Sequence, residues 1–145
     1  MAEIWKPIYG YESTYEISSL GRVKRLESKD SRGHLRKERI LKQRITAYGY
    51  AQIGLYKDSK ETKFLVHNLV ANAFIPNPLG LSDVNHINEV KRDNRLENLE
   101  RCTRSYNCNY GTANERRILS RKLNKQAGTT NLPINRRIKV CVENF

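Results

Sequence analysis

The sequence predicts an α+β fold: a small antiparallel β module at the N-terminus, then a strand-loop-strand-helix core, then a basic helical or extended tail. Three observations carry this. Glu3–Arg25 is dense in aromatic and β-branched residues broken by Gly10 and Gly21, which suits short strands and tight turns. His67–Phe74 places Leu69, Val70, Ala73 and Phe74 at helical spacing. Residues 84–122 pass from two strand-like segments into a polar, helix-forming one.

The elements follow in order. Trp5, Ile8, Tyr9, Tyr11, Tyr15, Ile17 and Val23 show no sustained 3.6-residue period, so strands are expected. Ser18–Arg25 reads as a turn feeding a cation-bearing strand that ends near Leu26. Glu27–Arg39 is polar and charged around Gly33 and reads as a long hairpin loop. Ile40–Ile45 and Tyr50–Tyr56 read as two strands joined by Thr46–Gly49, with a third, Glu61–Val66, after the turn Lys57–Lys60. The short helix His67–Phe74 is stopped by Ile75-Pro76-Asn77-Pro78. Val84–Ile87 and Leu96–Thr103 are expected strands around the polar loop Asn88–Arg95. A helix is expected from Arg104 or Ser105 to Lys122, weakened at Gly111, and a basic strand-like tail from Arg136 to Val142. The expected organisation is residues 1–45, 46–123 and 124–145.

Composition narrows the function. Lys and Arg total 27 against 15 Asp and Glu, giving a net charge of +12 and a pI near 9.8. An enzyme for a small neutral substrate has no need of that excess; nucleic acid is the first expected partner and an anionic membrane surface the second. Mean hydropathy is −0.73, and no apolar run approaches the roughly 18 residues of a membrane span. The start, Met1–Pro7, has no apolar signal core, so a cytoplasmic location is expected. Cys102, Cys108 and Cys141 are an odd set without a C-x-x-C pair, and read as unligated thiols.

The chemistry concentrates between residues 84 and 110. Val84-Asn85-His86-Ile87, Asp93-Asn94, Leu96-Glu97-Asn98-Leu99-Glu100 and Thr103-Arg104-Ser105-x-Asn107 resemble the HNH homing endonucleases of phage introns and intergenic sites. His67–Pro78 resembles the helix preceding the motif in that family. Residues 3–25, with Trp-Lys-Pro-Ile and Ile-Ser-x-x-Gly-Arg-Val, resemble its nuclease-associated modular DNA-binding motif. The resemblance implies a ββα-metal nuclease core that hydrolyses phosphodiester bonds in double-stranded DNA.

It also implies roles. His86 is the expected general base, since a neutral imidazole near pKa ~6.5 is competent at physiological pH. Asn98 is expected to orient it through the other ring nitrogen. Asn107 matches the third family position and Asn85 the residue before the histidine; both are expected to ligate Mg²⁺, or another divalent cation such as Mn²⁺. Two neutral amides hold such an ion weakly, so DNA phosphate should complete the site. His67 reads as a core histidine, Asn94 as a loop-shaping residue and His34 as solvated.

Two basic blocks flank this stretch. Arg22, Lys24, Arg25, Arg36, Lys37, Arg39, Lys42 and Arg44 precede it, and Arg116, Arg117, Arg121 and Lys122 follow it. These are the expected DNA contacts, with the hairpin as a reader for the major groove. Arg136, Arg137 and Lys139 extend the second block. A monomer is expected, with no protein partner.

Three departures from the family pattern stand out. Glu89-Val90 replaces the usual Gly-Asn after the histidine, Arg101 replaces a common Trp, and Gly128–Pro133 looks like the start of a further DNA-binding module that is then cut short. They keep open a binding protein without cleavage. An RNA-binding module is the weaker alternative, because it leaves the Asn85-His86, Asn98 and Asn107 set unexplained.

Overall fold

A computed structural model describes residues 2–29 and 32–126. The aromatic N-terminal stretch forms β1 (Trp5–Pro7), β2 (Tyr15–Ser18) and β3 (Val23–Arg25), paired antiparallel. The charged segment after it is a hairpin of two short strands, β4 (Ser28–Lys29) and β5 (Leu35–Arg36). Next, β6 (Arg39–Ile40) joins the far edge of β3 to complete a four-stranded sheet. Ile17 and Val23 are fully buried on its inner face.

The expected strand Ile40–Ile45 is divided. Its first residue, Ile40, ends β6, and its last two form β7 (Arg44–Ile45), which belongs to a different sheet. Hydrogen bonds explain the break. The Leu41 amide donates to the Val23 carbonyl at 2.8 Å, and the Gln43 side chain donates to the Gly21 carbonyl at 2.6 Å. Residues 41–43 are thus tied to the first sheet while the chain turns towards the second.

That second sheet runs β7-β8-β9, with β8 (Ala51–Lys57) and β9 (Lys60–Leu65). Their two-residue turn has positive φ at both Asp58 and Ser59, the backbone that matches strand twist in tight hairpins. Alternation decides the faces: Ala51, Ile53 and Leu55 are buried, whereas Gln52, Gly54 and Tyr56 point outward.

Against the buried face lies α1 (Val66–Phe74), with Val66, Leu69 and Val70 in the core. Leu65 and Ile75 flank it in extended conformation. Arg101 clamps its end: Nε donates to the Ile75 carbonyl at 3.2 Å and Nη2 to Asn72 Oδ1 at 2.8 Å. One apolar cluster joins both sheets, α1 and Leu99.

The strand-loop-strand segment forms β10 (Asp83–His86) and β11 (Leu99–Cys102), antiparallel, with Asn85 opposite Glu100 and His86 opposite Leu99. The second strand starts later than expected, because Leu96–Asn98 is a 3-10 turn. The Leu96 amide is drawn away to the Ser19 carbonyl at 2.8 Å, and Asn98 turns inward. Residues Met1–Thr103 form one compact unit, and a second begins at Arg104.

In the second unit the expected single helix is two, α2 (Arg104–Asn109) and α3 (Ala113–Gln126). They part around Gly111, whose φ of 51° lies in the left-handed region. Among the described residues no helix is long and apolar enough to cross a membrane. Cys102 and Cys108 are free thiols. Arg136, Arg137, Lys139, Cys141 and the expected tail strand lie outside the described residues.

Candidate active site

His86 ends β10 and is 6% exposed. Its Nε2 lies 3.0 Å from Asn94 Oδ1. An amide oxygen only accepts, so Nε2 carries the ring proton and Nδ1 keeps the lone pair. The orientation of the Asn94 amide is supported by its nitrogen, which points at the Arg92 carbonyl at 3.4 Å. Burial pushes the imidazole below its usual pKa; the Asn94 bond and Asp93 oppose that, and Lys91 adds to it. The ring is therefore a weaker but predominantly neutral base at pH 7.

The partner on the imidazole is thus Asn94, not Asn98. Asn98 serves the loop backbone instead: its Oδ1 accepts from the Asn88 amide at 2.9 Å, and its Nδ2 donates to the Asp93 carbonyl at 2.7 Å. It staples the two ends of the loop and acts on His86 only through the residues it fixes. Asp93 receives two parallel bonds from Arg95, both 2.8 Å, and a third from Asn88 Nδ2. These hold its carboxyl down to about 2.

Glu89 has a φ of 60°. The loop therefore keeps a left-handed turn at this position and carries it on a side chain that disfavours it. Gly21 has a different reason to be glycine. A Cβ there would sit 2.8 Å from the Cβ of Asn94 and 2.9 Å from its carbonyl oxygen. The turn after β2 thus rests directly on the residue that holds the base.

Asn85 is buried, and its Nδ2 donates to Glu100 Oε1 at 2.7 Å. That bond assigns the amide nitrogen and leaves Oδ1 as a hard oxygen donor, the chemistry a Mg²⁺-class ion takes. Glu100 carries no motif signal beyond its place after Asn98-Leu99; the strand register puts it beside Asn85. Asn107 lies half-buried on α2, in the second unit. Among the described residues no group of three His, Cys, Asp or Glu side chains could hold a metal.

Two aromatic rings pack around the base. His67 lies edge-on with its ring centroid 5.0 Å from that of His86, and Tyr50 lies 6.2 Å from His86 and 5.3 Å from His67. Lys91 covers Tyr50 at 4.7 Å and donates to the Tyr48 carbonyl.

The expected DNA-contact residues divide into two kinds. Arg22 is paired with Glu3, and Lys24 with Glu16 at 2.9 Å and Glu38 at 3.6 Å, under the Trp5 ring. Arg25 reaches the Lys37 carbonyl. Like Arg22, the residues Arg36, Lys37, Arg39, Lys42 and Arg44 are exposed. Arg39 of the first sheet, Lys42 and Arg44 share a groove of about 310 Å³ with Gln52, Tyr56, Glu61 and Lys63 of the second. Lys63 was not singled out by the sequence; it is opposite Gly54 across β8 and β9. On α3, Arg116, Arg117, Arg121 and Lys122 are all exposed, and Arg117 also caps the Cys108 carbonyl at 2.8 Å.

Comparison with known proteins fits this geometry. Residues 3–56 match the NUMOD4 motif, and residues 64–108 match the HNH endonuclease family. Residues 64–108 thus carry the pattern of the HNH endonuclease family. An uncharacterized HNH endonuclease of Acanthamoeba polyphaga mimivirus is 38% identical to this chain over 118 residues, which are 78% of the chain and 27% of the relative. The DNA endonuclease I-HmuI of Bacillus phage SP01 is 35% identical over 103 residues, 71% of the chain and 54% of the relative. The chain therefore spans from about a quarter to just over half of these relatives' length. A solved structure described as DNA binding and cleavage by the HNH homing endonuclease I-HmuI superposes with a TM-score of 0.57 at 30% identity, over 93% of this chain and 65% of that one.

Proposed function

We propose that the chain is a metal-dependent DNA endonuclease of the homing type, in which His86 activates water to cut or nick double-stranded DNA. One observation carries the reading: His86 Nε2 is bound to an amide oxygen, Asn94 Oδ1, at 3.0 Å. That bond leaves Nδ1 as the basic atom and fixes its direction. Nδ1 takes a proton from water as the oxygen attacks phosphorus, and the bond from phosphorus to the sugar oxygen breaks. The Nε2 proton, shared with Asn94, stabilises the imidazolium that forms.

Asn85 Oδ1 is the ligand this reading assigns on the strand, with Asn107 as the second expected ligand and Mg²⁺ or Mn²⁺ as the ion. Such an ion supplies charge neutralisation at the phosphate and the departing oxygen. Glu100 orients Asn85 through its amide nitrogen. The exposed cations of the second sheet and of α3 would hold the phosphate backbone, and one catalytic unit flanked by such contacts functions as a monomer.

The test is nicking of supercoiled plasmid carrying a candidate insertion site, with Mg²⁺, beside EDTA and a His86→Ala control. Nicking by the wild type alone, abolished by EDTA, supports the reading. Gel-shift binding without nicking identifies a DNA-binding protein that has lost cleavage. Equal nicking by His86→Ala removes His86 from the role of base.

A further inference from the structure

His67 stands in the active centre, and the hydrolytic scheme does not use it. It is 6% exposed, yet its Nδ1 is buried with no hydrogen-bond partner. A phenylalanine would fill the same space without burying a bare nitrogen, and unsatisfied buried polar atoms point to a function.

The tautomer follows from that orphan. A neutral imidazole has one N–H donor and one lone pair. Placing the proton on Nδ1 would bury an unpaired N–H, so the proton belongs on Nε2 and only a lone pair is buried. Burial first, and His86 second, hold the pKa down to about 4. His67 is thus an uncharged donor of fixed tautomer. Tyr50 at 5.3 Å and His86 at 5.0 Å, edge-on at 74°, set its plane. Two rings at that separation lie within the span that one phosphate group and its hydrogen bonds can bridge.

We propose that His67 is a second catalytic imidazole, whose neutral Nε2–H binds a non-bridging oxygen of the phosphate attacked by the water that His86 activates. The inference rests on the nuclease reading and extends it. A neutral donor suits this place. His86 becomes cationic as it accepts the proton, and a charged neighbour would oppose that step. An uncharged N–H stabilises the negative charge on phosphate oxygen without doing so. No group is consumed, and His67 keeps its proton throughout.

The test compares His67→Phe, which keeps the ring and loses the donor, with His67→Gln, whose amide nitrogen reaches a similar place. In single-turnover nicking with Mg²⁺, Phe is expected to lower the rate at least ~10-fold with plasmid affinity and melting temperature retained, and Gln to restore part of the loss. A Phe variant that nicks within about 2-fold of wild type, or Phe and Gln variants equally slow and equally destabilised, overturns the inference. A second readout does not depend on turnover. In ¹⁵N spectra of the His86→Ala protein, His67 should be protonated on Nε2, and that resonance should shift when a DNA duplex is added. An unprotonated Nε2 or an unmoved resonance overturns the assignment. Wild-type protein that binds without nicking defeats the nuclease reading instead, and the ¹⁵N shift then still decides for or against the phosphate contact.

Discussion

The loop behind His86 and the outer face of the second sheet are both polar, but they are built in opposite ways. In the loop, Asn88, Asp93, Asn94, Arg95 and Asn98 bind one another, His86 or the backbone through bonds of 2.7–3.0 Å. On the sheet face, Lys42, Arg44 and Lys63, with Arg39 of the first sheet, stand exposed around a shallow groove. The loop fixes one atom, Nδ1 of His86, in one direction. The face presents charge on long, adjustable side chains. Chemistry needs the first property and adjustment to a phosphate backbone needs the second.

Mutations can break this contrast. The largest effect is expected from His86→Ala, which should lower the nicking rate roughly 10²- to 10⁴-fold with gel-shift affinity unchanged. Loss of binding in step with rate would show that the ring serves the grip, not the reaction.

Next in size is a pH effect on stability. The His67 pKa in the folded protein, about 4, lies below the ordinary 6.5. The unfolded chain therefore binds more protons as pH falls through that window. Stability is full above pH 6.5 and is lost progressively towards about 4, by about 3 kcal/mol from this buried ring. Urea unfolding of the wild type and His67→Phe at pH 7 and pH 4.5 measures it; the variant should show a clearly smaller loss. Equal losses would mean that His67 titrates normally.

Asn94→Ala is expected to cost about 10- to 100-fold in rate, the range seen when a group that orients a functional side chain is removed. The same change at a residue of the face should not. Lys63→Gln together with Arg44→Gln should weaken DNA binding and reduce the salt slope by ~0.9 for each phosphate no longer neutralised, while the rate on saturating DNA stays within about 2-fold. An unchanged slope would mean that neither side chain touches the DNA.

The smallest effect lies in the loop itself. Glu89→Gly relieves a left-handed residue and should raise stability by about 1 kcal/mol, read as an increase in the midpoint of urea unfolding. No gain would mean that the Glu89 side chain contributes as much as its backbone costs.

The same contrast explains what was legible in the sequence. His86 and Asn85 stand out because the motif places unusual side chains at fixed spacing on adjacent positions. The α+β class and α1 were readable because their periodicity is local. Asn94 was not distinguishable, because an Asn in a polar loop reads as a turn residue, and its bond to His86 exists only once the loop closes. Asn98 drew the role instead because it sits at the motif position. The break between Ile40 and Ile45 depends on Gly21 and Val23, which are remote in sequence. Lys63 joins the basic groove only through its register opposite Gly54.

The close approach of Gly21 to Asn94 has a practical consequence. It bears on chimeras in which the residues of one sequence family are exchanged for another segment. Here the seam between the two sequence families is not a physical joint. A transplanted segment with any larger residue at position 21 would drive into Asn94, and one whose backbone places the residue-19 carbonyl elsewhere would also lose the bond to the Leu96 amide. A chimera must therefore carry the Ser18–Arg22 turn and the Asp93–Leu96 loop as one inherited piece, with the graft placed elsewhere.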